Sequence, residues 1–459
     1  MASAVLPAPP AAPPGTGGPA ARTGVSGALP LLALAGFLSL ALQRFSLYLA
    51  GGQLSLPAVV LVLTWVALVV VHRWPLSRAG TVGYLGLLAV ATAATLANGN
   101  APSWFSPSLP SLVLLVLAYV PLVLASRPAG AERAGWAFAR GVVWAARLAA
   151  VLVLVQAVLQ WAGLGFWDPV TLLPASIQTS GFNTAYDLRY VDASFGLAIK
   201  PNGVIFLEPS FVSLYCAIAL VLEAYRLHDA RPTGPAAVRG VAWMAVLVVA
   251  VALSISASGF VVLGIAALPL LWRYRDRLEI VGTAALLLLA VYLTGFFGPV
   301  LDKLGEGFTG QTSTALRLVV PYELLTPYAT AEPFDGFGAG TSDAIARTFQ
   351  ISGLQQPTVM KAAVEYGIPF AVLVVGVVLA KALGGGRGYT GLAVALAGVW
   401  LIPSEALLSA PILALVLFML PNMTPAGAVP AGVARTAVAR DPRLWGPTLP
   451  GLGRRGGPV

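Results

Sequence analysis

Charge is scarce in this chain: Lys, Arg, Asp and Glu together make up 10% of its 459 residues, where a soluble domain carries about a quarter. A water-exposed surface large enough to enclose a chain of this length cannot be built from so few ionic groups. Cysteine is almost absent, and the one present, Cys216, lies in an apolar stretch. No intrachain disulfide and no CxxC metal site is available. Histidine occurs twice, as His72 and His228, so catalysis built on a Ser/His/Asp constellation has few places to sit.

What fills the space is hydrocarbon, with hydrophobic residues at 58% of positions. Apolar runs of roughly 17 to 25 residues recur from Leu31 to Leu420, the length that crosses a bilayer as a helix. Backbone inside hydrocarbon must satisfy its own hydrogen bonds, so these runs predict helices. The fold class is all-α, a polytopic membrane protein of about twelve spans. They fall at 28–49, 56–71, 80–97, 109–125, 139–163, 204–225, 240–254, 258–272, 278–298, 358–380, 389–402 and 406–420. Residues 1–26 and 421–459 are rich in Pro and Gly and read as disordered tails, the second one basic. They flank a transmembrane domain over 27–420.

The formal net charge of +9 points to topology more than to nucleic acid. Alternating the spans puts Arg73, Arg78, Arg127, Arg133, the 226–239 and 273–277 arginines, Lys381, Arg387 and both tails on one side. By the positive-inside rule that side is cytoplasmic. Most of the 18 acids fall on the other, together with two long segments at 164–203 and 299–357. Compact proteins seldom keep long loops without a use for them, so function is expected there. This places the protein in the cytoplasmic (inner) membrane, with an active site facing the periplasm or cell exterior.

Both histidines lie in loops on the cytoplasmic side, and the outer acids form no adjacent or DxD-like pair. A metal site is not expected. The outer side does carry a few cations, among them Arg44, Arg189, Lys200 and Arg317, which suit a phosphate-bearing ligand. In Lys200-Pro-Asn-Gly-Val-Ile-Phe-Leu-Glu208-Pro209-Ser210, Pro209 fits the first helical position. Glu208 then becomes the cap, and residues 201–207 are non-helical at membrane depth, where protein or a water-filled cavity must cover them. Around Arg317 the spacing of Leu316, Val320 and Leu324 predicts a short helix lying on the membrane. The Gly336-Phe-Gly-Ala-Gly340 turn feeds a helix at Asp343 whose backbone N–H groups could hold an anion. Lys361 and Glu365, four apart, predict a helix salt bridge. Arg147 is the ionisable residue nearest a span centre and is read as snorkelling toward the Arg140 side.

These segments, in this order, resemble the O-antigen ligase and O-antigen polymerase superfamily of bacterial envelope glycosyltransferases. The likeness covers about residues 30–420. It rests on Lys200, Gly203, Glu208, Pro209 and Ser210; on Ser254-Ile-Ser-Ala-Ser258-Gly259; on Arg317 with Pro333-x-x-Gly336-x-Gly338-x-Gly340; and on Glu365-Tyr-Gly-Ile368. The resemblance implies a GT-C-like membrane architecture and a metal-independent, inverting transfer without a cofactor. The donor is an oligosaccharide on polyprenyl diphosphate, the acceptor a glycan or lipid-linked hydroxyl, and a chain-length regulator is a further partner. It gives Arg317 first place in stabilising the departing diphosphate, with Lys200, Arg44 and Arg189 as additional diphosphate contacts, and leaves Glu208 or Glu365 to orient or deprotonate the acceptor. Lys200 stands where an arginine is usual. Where the family's ligases carry a histidine before Glu-x-Gly-Ile this chain has Gln355-Gln356-Pro357, which points to the polymerase branch. A transporter or flippase for a lipid-linked or anionic solute is the competing reading, and a non-catalytic membrane scaffold the third.

Overall fold

Long runs of Leu, Val and Ala with no charge to solvate leave the backbone one economical conformation, and the chain is mostly helical. The computed structural model describes residues 23–49, 52–98, 106–126, 128, 131–164, 169–179, 191–192, 198–199, 201–230, 233–254, 256–273, 315, 319–349, 354–385, 389–401 and 406–423. Among these, α1 spans Thr23–Ala41, α2 Leu56–Val70, α3 Arg78–Ala97, α4 Leu109–Tyr119 and α5 Ala131–Trp161. The order continues with α6 at Pro209–Ala230, α7 at Pro235–Leu253 and α8 at Ala257–Arg273. Then come α9 at Val320–Ala331, α10 at Thr341–Thr348, α11 at Thr358–Tyr366, α12 at Ile368–Gly385, α13 at Thr390–Leu401 and α14 at Ala410–Ala414. By length and composition α3, α5, α6 and α7 can each cross a membrane, and α1, α2, α4, α12 and α13 are shorter apolar helices.

α5 is the axis of the molecule. Its 31 residues rise about 46 Å against a hydrocarbon core of about 30 Å. One face is lined by small residues, Ala134, Ala145 and Ala149 among them, and it takes α1 at close range. A Cβ on Gly141 would overlap the Ala33 carbonyl oxygen, and one on Gly36 would overlap that of Phe138. α6 and α7 cover further faces of α5. The Phe418 ring packs tilted against Trp65 and Trp74, with centroids 4.7 and 5.7 Å away, tying the turns after α14 to α2 and the residues just after it.

Several expectations need correction. The first span does not run to residue 49: it stops at Ala41, and Ser46–Leu49 pairs with Gly52–Ser55 in an antiparallel hairpin, β1–β2. A second strand pair, β3 (Val191–Asp192) with β4 (Ala198–Ile199), makes the fold not strictly all-α. The span expected at 358–380 is two helices, because Gly367 adopts φ +86 between α11 and α12. There a Cβ would overlap the Phe334 carbonyl oxygen. The segment at 406–420 changes type along its length, from a 3-10 turn through α14 to a π turn at Leu415–Met419 and a last 3-10 turn at Leu420–Asn422. Lys381 is not in a loop but on α12, where its Nζ donates to the carbonyls of Pro121, Leu122 and Leu124 at 2.7, 3.1 and 3.0 Å. The expected span 278–298 and both expected tails, apart from residues 23–26 and 421–423, lie outside the described residues.

Candidate functional site

The segment ahead of α6 has the form expected of it. Residues 201–208 are non-helical and α6 begins at Pro209, with the carbonyl of Glu208 accepting from the N–H groups of Phe211 and Val212. The helix continues to Ala230, a turn beyond Arg226. Such backbone persists away from water only if its polar groups are met, and those at Gly203 and Val204 are. Gly203 N–H donates to Gln156 Oε1 at 2.9 Å, Val204 N–H to Asn202 Oδ1 at 3.1 Å, and Arg44 Nη1 to the Val204 carbonyl at 2.9 Å. Gln156, Asn202 and Arg44 are all buried. Gly203 and Val204 both have positive φ, +64 and +62. In a β-branched residue that is a strained conformation, held by the Arg44 contact on one side and the Gln156 bond on the other. Ser210 Oγ donates to Glu208 Oε2 at 3.0 Å, which orients the half-buried carboxylate.

The serines after α7 clasp the same helix. Ser213 Oγ donates to the Ser256 carbonyl at 3.1 Å and accepts from Gly259 N–H at 3.1 Å, while Ser258 Oγ donates to the Ser210 carbonyl at 3.0 Å. A side chain at Gly259 would run into Ser213. The Ser254–Gly259 motif thus packs directly on the first turn of α6.

Glu365 sits in a second group, on α11. Its carboxylate is fully buried. Oε1 accepts from Ser342 Oγ at 2.5 Å and lies 3.6 Å from Lys361 Nζ. Lys361 Nζ donates to Asp343 Oδ1 at 2.7 Å, and Gln356 Nε2 reaches the same oxygen at 3.0 Å. The helix salt bridge at Lys361 and Glu365 is therefore present, but as part of a larger buried network in which only Asp343 has substantial exposure.

The glycine turn does not present open N–H groups to a foreign anion. Phe337 and Gly338 donate to the carbonyls of Val364 and Glu365 at 2.9 and 2.7 Å, and Ala339 donates to Thr95 Oγ1 at 3.2 Å. The anion at the start of α10 is the chain's own Glu365, placed where a helix N-terminus favours negative charge. Gly336, at φ +61, lies so close to α11 that a Cβ would come within 2.5 Å of Tyr366 N.

The fold thus brings Arg44 and the Glu208 motif together and sets Glu365 in a separate group. The side chain of Tyr215 on α6 interacts with Gln43, next to Arg44, and with Ser409, and the turn at Ala406–Leu408 packs on both α4 and α11. Lys200, Arg189 and Arg317 lie outside the described residues. α9 starts at Val320, after the Arg317 neighbourhood.

Arg147 does not snorkel. Its Nη2 is ion-paired with Glu223 Oε1, Glu223 Oε2 accepts from Arg226 Nε at 2.7 Å, and the guanidinium lies 4.9 Å from the Trp243 ring centroid. Sequence reasoning passed over Glu223 and Gln156. Gln156 and Glu223 are polar interruptions of apolar helices, the one signal that marks them. No family model matches the chain, and no curated protein or solved structure does so either.

Proposed function

We propose that the chain is a multi-pass glycosyltransferase of the cytoplasmic membrane, with about twelve spans and a GT-C-like architecture. It extends or transfers polyprenyl-diphosphate-linked oligosaccharides on the outer face, in surface polysaccharide synthesis. The acceptor hydroxyl oxygen bonds to the anomeric carbon, the bond from that carbon to the diphosphate breaks, and the hydroxyl proton passes to a carboxylate. Arg317, with Lys200 and Arg189, neutralises the charge that builds on the leaving diphosphate, a contribution that preorganised cations make most strongly where water is excluded. Arg44 holds the segment that carries Glu208. The accepting carboxylate is Glu208, or the Glu365 group through its exposed member Asp343.

The observation that carries this reading is the partly buried non-helical segment 201–208, gripped by an arginine 160 positions away in the chain. Non-helical backbone in a membrane domain is tolerated where protein covers it or where it lines a water-filled cavity, and the residues concerned are the motif on which the family resemblance rests. The polymerase branch is favoured over the ligase branch by Gln355-Gln356-Pro357.

A second reading, a transporter for a lipid-linked or anionic solute, draws on the partly buried Arg147–Glu223–Arg226 cluster, since ionisable groups within spans often mark a solute path. Deleting the gene and analysing both surface glycan and lipid-linked oligosaccharides separates the readings. Loss of long chains with single units accumulating on the lipid is the expected result. Polymer retained on the lipid carrier indicates a ligase, and an unchanged glycan with an unchanged lipid pool removes the glycosyltransferase.

A further inference from the structure

One face of α5 is exposed along most of its length. Trp144, Leu148, Val151, Val155, Val158 and Trp161 follow one another at intervals of three or four positions and are all exposed among the described residues, so they form a single stripe on the helix. No charged residue falls between Leu148 and Trp161. The two indoles are 17 positions apart, about 26 Å of helical rise, close to the ~30 Å thickness of a hydrocarbon core. Tryptophan collects at both interfaces of a bilayer. The stripe therefore suits contact with lipid, with Trp144 at one interface and Trp161 at the other.

Arg147 lies within one turn of Trp144, at the same interface, and it is under-bonded. Its guanidinium is 5.5 Å from the Trp144 ring centroid and 4.9 Å from that of Trp243 on α7, a cation between two aromatic rings. Nη2 pairs with Glu223, but Nε is buried with no hydrogen-bond acceptor among the described residues. The carboxylate is also shared, because its other oxygen accepts from Arg226. The positive excess extends beyond these side chains: segments 131–147 and 223–240, the adjoining ends of α5, α6 and α7, hold six arginines and three acids.

Basic pockets between membrane helices bind acidic headgroups, and a guanidinium meets phosphate oxygens with paired N–H groups. The apolar stripe that begins at Leu148 identifies what carries the phosphate. A headgroup held at Arg147 leads its acyl chain onto Leu148, Val151 and Val155. We propose that Arg147 and Arg226, framed by Trp144 and Trp243, bind the phosphate of an acidic phospholipid whose acyl chain lies along this stripe of α5. With the arginine-rich side facing the cytoplasm, the lipid belongs to the inner leaflet. The site does not depend on the glycosyltransferase reading.

The test uses the full chain in mild detergent with equimolar phosphatidylglycerol and phosphatidylcholine, and native mass spectrometry counts the lipids retained. The wild type should prefer phosphatidylglycerol by about fivefold or more, the contribution of one arginine at a membrane surface. Arg147→Gln, in which Glu223 keeps Arg226 as its counterion, should cut the preference about fivefold. Arg133→Gln removes the same charge about 21 Å further along α5 and should leave the preference in place. Trp144→Ala spares both ion pairs, serves if Arg147→Gln does not fold, and should cut the preference about threefold. Equal retention of the two lipids by the wild type would overturn the site, as would a preference undiminished in Arg147→Gln or Trp144→Ala. An equal loss in Arg133→Gln would also overturn it, since a diffuse field and not a site would then select the lipid. If inorganic phosphate raises the thermal midpoint as much as phosphatidylglycerol does, the site takes free phosphate and the lipid assignment falls; stabilisation by the lipid alone supports it.

Discussion

Replacing Lys361 by Met probes the charge balance on which the second group depends. Lys361 is 3% exposed and stands between a carboxylate at 0%, Glu365, and one at 42%, Asp343. The two contacts are not equivalent in energy, although the shorter one, at 2.7 Å, is to Asp343. That arm is open to solvent and should contribute less than about 1 kcal/mol. The Glu365 arm is closed, and removing its counterion leaves a fully buried carboxylate with Ser342 as its hydrogen-bond donor and no cation beside it, at a cost of about 3–5 kcal/mol. Unfolding of the purified protein in mixed micelles, followed by titration with a denaturing detergent, should therefore rank Lys361→Met as severe and Asp343→Asn as mild. The double variant Lys361→Met with Glu365→Gln should return most of the loss, since no buried charge is then left alone. The reasoning fails if Lys361→Met stays within about 1 kcal/mol of wild type, or if Asp343→Asn is the more damaging change.

Three further outcomes are expected. Gly336→Ala should destabilise by roughly 2 kcal/mol or more, from the positive φ and the encounter with the α11 backbone, whereas Gly376→Ala, with open space around it, should be neutral or stabilising by up to about 1 kcal/mol; thermal melts of the two variants make the comparison. Lys381→Met strips three carbonyls of their shared donor and should lower stability by about 2 kcal/mol, which Lys381→Arg should partly restore; equal stability of Lys381→Met and wild type would refute the capping role. Arg317→Ala should abolish polymer formation while leaving membrane insertion intact, and wild-type polymer in that variant would remove Arg317 from the mechanism.

The helices were readable from sequence because hydrocarbon leaves backbone few choices, and the apolar runs located most of them. The β1–β2 hairpin was also written in the sequence, as Ser-Leu-Tyr-Leu and Gln-Leu-Ser-Leu around Gly51-Gly52. That is alternation about a turn, outweighed by a running average of hydrophobicity that does not distinguish period 2 from period 3.6. The Gly367 break was hidden for a different reason: glycine within an apolar run is ordinary, and only its φ of +86 and the Phe334 carbonyl pressed against it bar a side chain there. Of the candidate site, the Glu208 cap and the Lys361–Glu365 pair followed from local spacing. The Arg44 contact, the donors that fill the Val204 turn and the pairing of Arg147 with Glu223 depend on which helices become neighbours, and spacing along one helix carries no information about that.

The glycine turn at 336–340 has a mechanical meaning. Its backbone is fastened to α11 through Val364 and Glu365, and to α3 through Thr95 and through Asn98, which donates to the Gly336 carbonyl. The Ala339 carbonyl also receives the Ser108 N–H just ahead of α4. The turn is a hub with three spokes, and the aim of Glu365 is set jointly by helices that are remote in sequence. A substitution at Thr95, 244 positions before the residue it binds, thus reaches the acidic group through the turn, and α3 has a short mechanical route to the same carboxylate.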